Sequence, residues 1–285
     1  MLSHFQAAVL GVLQGVSELF PISSLGHSVI LPGLLGWPID QNADYFVTFV
    51  VATHFATALT LFIVYWDDWA RIVSGLLGSI WAREFRPTNP GAKLGLLLII
   101  GTVPAGAAGL VFQKQLQELF ISPAAAALFL MLNGGLLYLA ERLRRTAKPS
   151  EEFDRIDRRI AARMSWWQAA KVGIAQVLAL LPGFSRTGST IAGGLLIGFS
   201  HEEALRFSFL LATPIIGAAA LLKLPVLFHS GSVAAIENAL LGAVCAAAAA
   251  SVSIKILTRY FHTKTLTPFA IYCAAVGLLS LIALG

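Results

Sequence analysis

QAAVLGVLQGVSELFPISSLGHSVILPGLLG, residues 6–36, and QAAKVGIAQVLALLPGFSRTGSTIAGGLLIG, residues 168–198, align without a gap at an offset of 162. Ten of the 31 positions are identical: Gln6/Gln168, Ala7/Ala169, Ala8/Ala170, Gly11/Gly173, Gln14/Gln176, Leu19/Leu181, Ser23/Ser185, Gly26/Gly188, Leu34/Leu196 and Gly36/Gly198. A chain of this composition gives about three by chance. Glycine, glutamine and serine are among the matched pairs, so shared apolar character is not the cause. FVVAT at 49–53 against FLLAT at 209–213 extends the echo at an offset of 160. The chain contains an internal repeat.

Around these segments the sequence is strongly apolar. Of 285 residues 57% are hydrophobic and 12% charged, with a mean hydropathy of +0.76. Soluble domains carry about a quarter charged residues, so a soluble fold is excluded. Apolar windows at 45–66, 93–112, 122–141, 204–223, 234–257 and 267–284 are each long enough to cross about 30 Å of hydrocarbon as a helix. The fold class is an all-α polytopic membrane protein with six transmembrane helices. Gln6, Gln14 and Glu18 interrupt the first apolar stretch and no basic region precedes it, which argues against a cleavable signal. Cys245 and Cys273 both fall inside spans and read as small packing residues rather than a disulfide. No Cys/His spacing suggests zinc.

Each repeat holds one polar, Gly/Pro-interrupted segment followed by three spans. Repeat one covers about 1–141 and repeat two about 166–285, joined by a basic loop at 142–165. Three spans per copy make the second copy enter from the opposite face, which is an inverted-topology repeat. Pro21 and Pro182 break segments 4–36 and 167–199 near their middles. Two re-entrant helical hairpins fit this pattern. Irregular backbone at membrane depth needs protein or a watery cavity around it, so the two turns are expected to face one another.

The net charge of +5 is confined to loops and does not form a nucleic-acid surface. Arg142, Arg144, Arg145, Lys148, Arg155, Arg158, Arg159 and Arg163 lie in 142–165; Arg71, Arg83, Arg86 and Lys93 lie in 67–93; Arg259 and Lys264 lie in 258–266. Loops 113–121 and 224–233 hold only Lys114. The positive-inside rule then makes the three basic loops cytoplasmic and both termini external.

The two turns carry the chemistry. Gln14 and Glu18 are four apart on one helical face, and Ser23, Ser24 and His27 follow Pro21. A charge near the bilayer centre costs at least ~2.5 kcal/mol, so an intramembrane ionisable residue reads as functional. Interhelical hydrogen bonding is the plainer use for Gln14 and Ser23. The second turn, PGFSRTGST at 182–190, sets Arg186 among Ser185, Thr187, Ser189 and Thr190. An arginine fork among hydroxyls and turn amides suits a phosphate. A structural salt bridge between Arg186 and Glu18 is the competing reading.

QGVSELFPISSLGH and PGFSRTGST together resemble the undecaprenyl-diphosphate phosphatase family, integral membrane enzymes also called bacitracin-resistance proteins. The resemblance extends over essentially the whole chain, including PFAIY at 268–272. It implies removal of the terminal phosphate from a C55 polyprenyl diphosphate lipid, recycling the carrier for peptidoglycan synthesis in the bacterial plasma (inner) membrane. It also implies a divalent cation, Mg²⁺ or Ca²⁺, and a homodimer. Carried over residue by residue, the family's functional positions fall on Gln14, Glu18, Ser24, His27 and Arg186, with Ser185 and Thr190 as second-motif hydroxyls. Gln14 stands where many members have glutamate, which leaves a metal one charged ligand fewer. Leu19–Phe20 inverts the usual aromatic-first order, and Thr187 replaces a serine.

The expected catalytic residues are Glu18, Ser24, His27 and Arg186. Substrate contacts are expected from Ser23, Ser185, Arg186, Thr187, Thr190 and His54, and metal contacts from Gln14 and Glu18. Ser24 attacking after proton transfer to His27 is the favoured route; His27 as nucleophile, or as the base for water, stays open. The rival function is a polyprenyl-phosphate flippase, since broken helices in inverted repeats mark transporters. Ser24 with His27 argues for chemistry, because a carrier has no use for a nucleophile and base. A mouth on the outer face is expected. Arg206 and Glu203 are expected to pair or snorkel, and His201 to be solvated.

Overall fold

A computed structural model describes residues 1–41, 43–83, 88–119, 122–144, 155–229 and 232–284. Arg86, Arg145 and Lys148, counted among the basic-loop residues, lie outside the described residues. Helices α1 (His4–Ser17) and α2 (Ser24–Leu35) come first, then α3 (Asp44–Val64), α4 (Trp66–Trp81), α5 (Pro90–Val111), α6 (Gln113–Leu119) and α7 (Pro123–Leu143). The second half contains α8 (Ile156–Arg163), α9 (Trp166–Val177), α10 (Arg186–Leu196), α11 (His201–His229), α12 (Val233–Tyr260) and α13 (Thr267–Leu284). No strand occurs among the described residues. Among the described residues six helices, α3, α5, α7, α11, α12 and α13, are long and apolar enough to cross a membrane. This agrees with the six windows read from hydropathy.

Both polar segments are helix–break–helix, and their helix starts and ends repeat the same caps, although a 3-10 turn at Leu178–Leu180 occurs only in the second. Ser3 with Gln6, and Ser165 with Gln168, form identical capping boxes at the starts of α1 and α9. Ser23 and Ser185 cap α2 and α10 by accepting from the backbone N–H of Gly26 and Gly188. Gly36 and Gly198 end the segments with φ of 62° and 99°. A Cβ at Gly11 would lie 2.4 Å from the Gly242 carbonyl oxygen, and one at Gly173 2.5 Å from that of Gly101. Only glycine lets α1 and α9 approach α12 and α5 this closely.

Packing follows the same pairing. α1 lies against α12 and α9 against α5, while α3 packs on α11 and α7 on α13. The core they enclose is apolar, with Phe207, Phe209, Leu97 and Leu130 fully buried. Buried within it are Gln14, Glu18, Ser24, His27, Ser185, Thr187 and Thr190.

Three expectations about the connections change. Segment 67–93 is not simply a loop: Trp66–Trp81 forms α4, whose Trp66, Leu77, Ile80 and Trp81 face outward while Ile72 is buried. Residues 113–119 form α6, and α11 continues to His229. Glu203 pairs with Arg163 of α8 at 3.0 Å, and Arg206 with Asp68 of α4 at 2.6 Å, instead of pairing with each other. Residues three apart are neighbours on a helix, but α8 and α4 supply the partners instead. His201 is buried rather than solvated and contacts Glu141 at 2.8 Å.

Candidate active site

Glu18 is the C-cap of α1 and donates its backbone N–H to the Gln14 carbonyl at 3.0 Å. The chain then turns through Leu19–Ile22 to Ser23, whose φ of 71° is unusual for a residue bearing a Cβ. That turn sets Ser24 as the first residue of α2, directly over the Glu18 carboxylate. Across the molecule, Gly183 with φ of 105° folds the second turn, and Ser185 caps α10, whose first residue is Arg186. A Cβ on Gly183 would lie 2.2 Å from the Ala126 carbonyl oxygen of α7, so this turn tolerates no side chain there. The two turns meet: a Cβ on Gly26 would lie 3.0 Å from Gly183 Cα.

Side chains join the turns. Arg186 Nε and Nη2 both donate to Glu18 Oε1, at 3.3 and 3.0 Å. Thr187 Oγ1 donates to the Glu18 carbonyl at 2.9 Å. Ser185 Oγ donates to the Phe20 carbonyl at 3.4 Å. The other carboxylate oxygen, Glu18 Oε2, accepts from Ser24 Oγ at 2.5 Å and from Gln14 Nε2 at 3.3 Å. His54 Nε2 lies 3.5 Å from the same oxygen. His54 Nδ1 sits 2.8 Å from the Val50 carbonyl, which only accepts, so Nδ1 carries a proton; Nε2 forms an ion pair with Glu18 only as imidazolium. Glu18 is thus fully engaged, which is what a carboxylate this buried requires.

A cavity of about 340 Å³ opens on this cluster. Glu18, Ser23, Ser24, His54, Ser185 and Arg186 line it, and Val50, Ile215, Ile216 and Leu180 supply apolar wall. Gln14, His27, Thr187 and Thr190 do not line it. Gln14 stands behind Glu18. Thr187 holds the turn, and Thr190 bonds Ser208 Oγ at 2.6 Å.

Ser24 gives its hydroxyl to Glu18, whereas the favoured route passes its proton to His27. His27 Nδ1 donates to the Ser23 carbonyl at 2.7 Å, leaving Nε2 to accept from Tyr272 Oη at 2.9 Å. The rings stack with centroids 5.8 Å apart. One turn of helix separates Ser24 from His27, so His27 reaches back to its own turn and outward to α13 rather than into the cavity.

Sequence reading missed Asn133, Tyr272 and Ser208. Asn133, fully buried in α7, donates to the Pro21 carbonyl at 3.0 Å and accepts from the Ser185 N–H at 3.2 Å, so it bridges the two turns. Its signal was present: one carboxamide inside an apolar span. Ser208 accepts from Arg186 Nη1 at 3.4 Å through its carbonyl oxygen.

Residues 7–279 match the family described as bacitracin resistance protein BacA. A protein of Mycolicibacterium paratuberculosis named undecaprenyl-diphosphatase is 42% identical, the alignment covering 99% of this chain and 97% of the relative. One of the same name from Acidiphilium cryptum is 44% identical over 97% of this chain and 96% of its own length. Undecaprenyl-diphosphatase 2 of Chromobacterium violaceum is 42% identical, with 99% of each covered.

Proposed function

The chain belongs to the bacitracin resistance protein BacA family, and from that premise we propose that it is an undecaprenyl-diphosphatase of the bacterial plasma membrane. It hydrolyses undecaprenyl diphosphate to undecaprenyl phosphate and phosphate, returning the lipid carrier to peptidoglycan synthesis and conferring bacitracin resistance. The observation that carries this reading is the convergence of Glu18, Ser24 and Arg186 on one cavity at the junction of the two turns.

Ser24 is the nucleophile and Glu18 its base, a reading supported by the 2.5 Å bond between them. Ser24 Oγ forms a bond to the terminal phosphorus as its proton passes to Glu18 Oε2. The phosphoanhydride bond breaks, and its electron pair leaves on polyprenyl phosphate. Water then bonds to the phosphoserine phosphorus, the P–Oγ bond breaks, the proton held on Glu18 returns to Ser24 Oγ, and the proton of the water leaves on inorganic phosphate. Protonation of Glu18 removes the negative partner of Arg186, so the guanidinium is released toward the phosphoryl oxygens as charge develops there. Ser23, Ser185 and His54 complete the phosphate surround. Gln14, Thr187, Thr190 and His27 act behind it, by orienting Glu18, Arg186 and the Ser23–Ser24 turn.

Among the described residues no group of three or more His, Cys, Asp or Glu side chains could hold a metal ion. Glu18, with the side-chain oxygen of Gln14 whose amide N–H now donates to it, would hold Mg²⁺ or Ca²⁺, hard cations that prefer oxygen ligands, and the cation would supply charge neutralisation to the diphosphate.

The inverted repeat and re-entrant hairpins belong to the same reading, with boundaries near 1–141 and 166–285. Their support is the exchange of packing partners: α1 on α12 corresponds to α9 on α5, and α3–α11 and α7–α13 pair counterparts. The outer-face mouth is supported by the cavity lining, which uses Val50 and Val51 early in α3 and Ile215 and Ala219 late in α11. Both are the external halves under the charge rule. Both termini are external under the charge rule, and the assembly is a homodimer, as the family resemblance implies. The test is phosphate release by the purified protein from farnesyl diphosphate; no release from it or from the C55 substrate would overturn the assignment.

A further inference from the structure

A second cavity, of about 430 Å³, lies at the opposite end of the same two helices. Arg206 near the start of α11, Tyr65 just past α3, Lys255 and Arg259 at the end of α12, and His262 just beyond it line it. Along α3, Val51 at the catalytic cavity and Val64 at this one are 13 residues apart, about 20 Å of helix. The two sites are therefore separate.

Its charge is unbalanced. Arg206 pairs with Asp68 at 2.6 Å and stacks 4.1 Å over the Tyr65 ring, while its buried Nε has no hydrogen-bond partner among the described residues. His262 lies 3.5 Å from Glu202. Lys255 and Arg259 are exposed, and neither has an ion-pair partner among the described residues. They are four apart on one helical face, where like charges repel. Two uncompensated cations beside an arginine make a cavity that selects an anion.

Depth identifies the anion's source. The apolar span α3 ends at Val64, and Tyr65, Trp66 and Trp69 follow immediately, the aromatic pattern of a membrane–water interface. Ile254 and the half-exposed Val64 add apolar wall beside the cations. Phosphate-binding groups at head-group level, flanked by acyl-compatible surface, match a phospholipid rather than a freely dissolved ion. We propose that Arg206, Lys255 and Arg259 form a binding site for the phosphate of an anionic phospholipid head group, on the face opposite the catalytic mouth.

The test titrates phosphatidylglycerol onto the purified full-length protein in mild detergent and counts bound lipids by native mass spectrometry. Lys255→Ala/Arg259→Ala is expected to weaken binding about 30-fold, roughly fivefold for each cation at the membrane surface. Phosphatidylcholine should bind wild type and variant alike, and inorganic phosphate should not displace phosphatidylglycerol. Farnesyl diphosphate hydrolysis by the variant in detergent should stay at the wild-type rate, which establishes that it is folded. Should the alanine pair not fold, Lys255→Gln/Arg259→Gln carries the same expectation. Equal phosphatidylglycerol affinity in wild type and variant overturns the proposal. Displacement by inorganic phosphate overturns the lipid assignment in favour of free phosphate.

Discussion

Arg186 reaches across from the second turn to bind Glu18 of the first, with Nη2 3.0 Å and Nε 3.3 Å from the same carboxylate oxygen. Glu18 is 7% exposed and Arg186 12%, so the pair is screened from water on nearly every side. One oxygen of Glu18 is thereby assigned to the cation and the other to Ser24. In the proposed mechanism, stability and chemistry are tied to a single carboxylate.

Removing one member of this pair exposes the other as an uncompensated buried charge. Glu18→Gln is expected to destabilise by about 3–5 kcal/mol, read as a lower melting temperature in detergent. Glu18→Gln/Arg186→Met should recover much of that loss while remaining inactive. A stable single variant would show that water already screens the pair.

Arg186→Lys retains charge but loses the fork whose two donors meet on Glu18 Oε1. Its kcat is expected to fall about 100- to 1,000-fold, the range for losing one preorganised donor to a developing oxyanion. Steady-state phosphate release checks this; a change confined to KM would make Arg186 an anchor and nothing more.

Tyr272 donates to His27, which in turn holds the Ser23 carbonyl. Tyr272→Phe removes that one hydroxyl, and we expect a several-fold fall in kcat with KM nearly constant. His27→Ala, which frees the Ser23–Ser24 turn, should abolish turnover while substrate still binds. Unaltered kcat in both variants would remove His27 from the machinery.

Chelation with EDTA should stop hydrolysis, and Mg²⁺ or Ca²⁺ should restore it. Gln14→Glu adds a second carboxylate to Glu18 and is expected to lower the Mg²⁺ concentration needed for half-maximal rate. An unchanged requirement would place the cation elsewhere.

The six spans were legible because length and hydropathy alone define them, and the two motifs because charged and hydroxyl groups at membrane depth are costly enough to stand out. The Glu18–Arg186 contact followed from that cost. What stayed hidden was the choice of partner. His27 is closer in sequence to Ser24 than Glu18 is, yet the turn at Ser23 swings the hydroxyl toward Glu18. Asn133 and Tyr272 act on residues more than a hundred positions away, and nothing local marks such a pairing. α4 was read as loop because its charges drew the eye from its apolar face.

Lys114 and Ser232 are both exposed and lie in the two connections that the charge rule places outside. Cysteine at either position should react with an impermeant thiol reagent on intact cells. Reaction only after permeabilisation would reverse the topology and the mouth with it.

Ser24, activated by Glu18, is the proposed acceptor of the phosphoryl group. The most direct measurement is mass spectrometry of protein acid-quenched during turnover of farnesyl diphosphate, beside phosphate release by Ser24→Ala. Phosphate is expected on the peptide containing Ser24, and a Ser24→Ala protein should bind the lipid without hydrolysing it. A Ser24→Ala enzyme with near-normal turnover, or phosphate trapped on His27 in its place, would contradict this assignment.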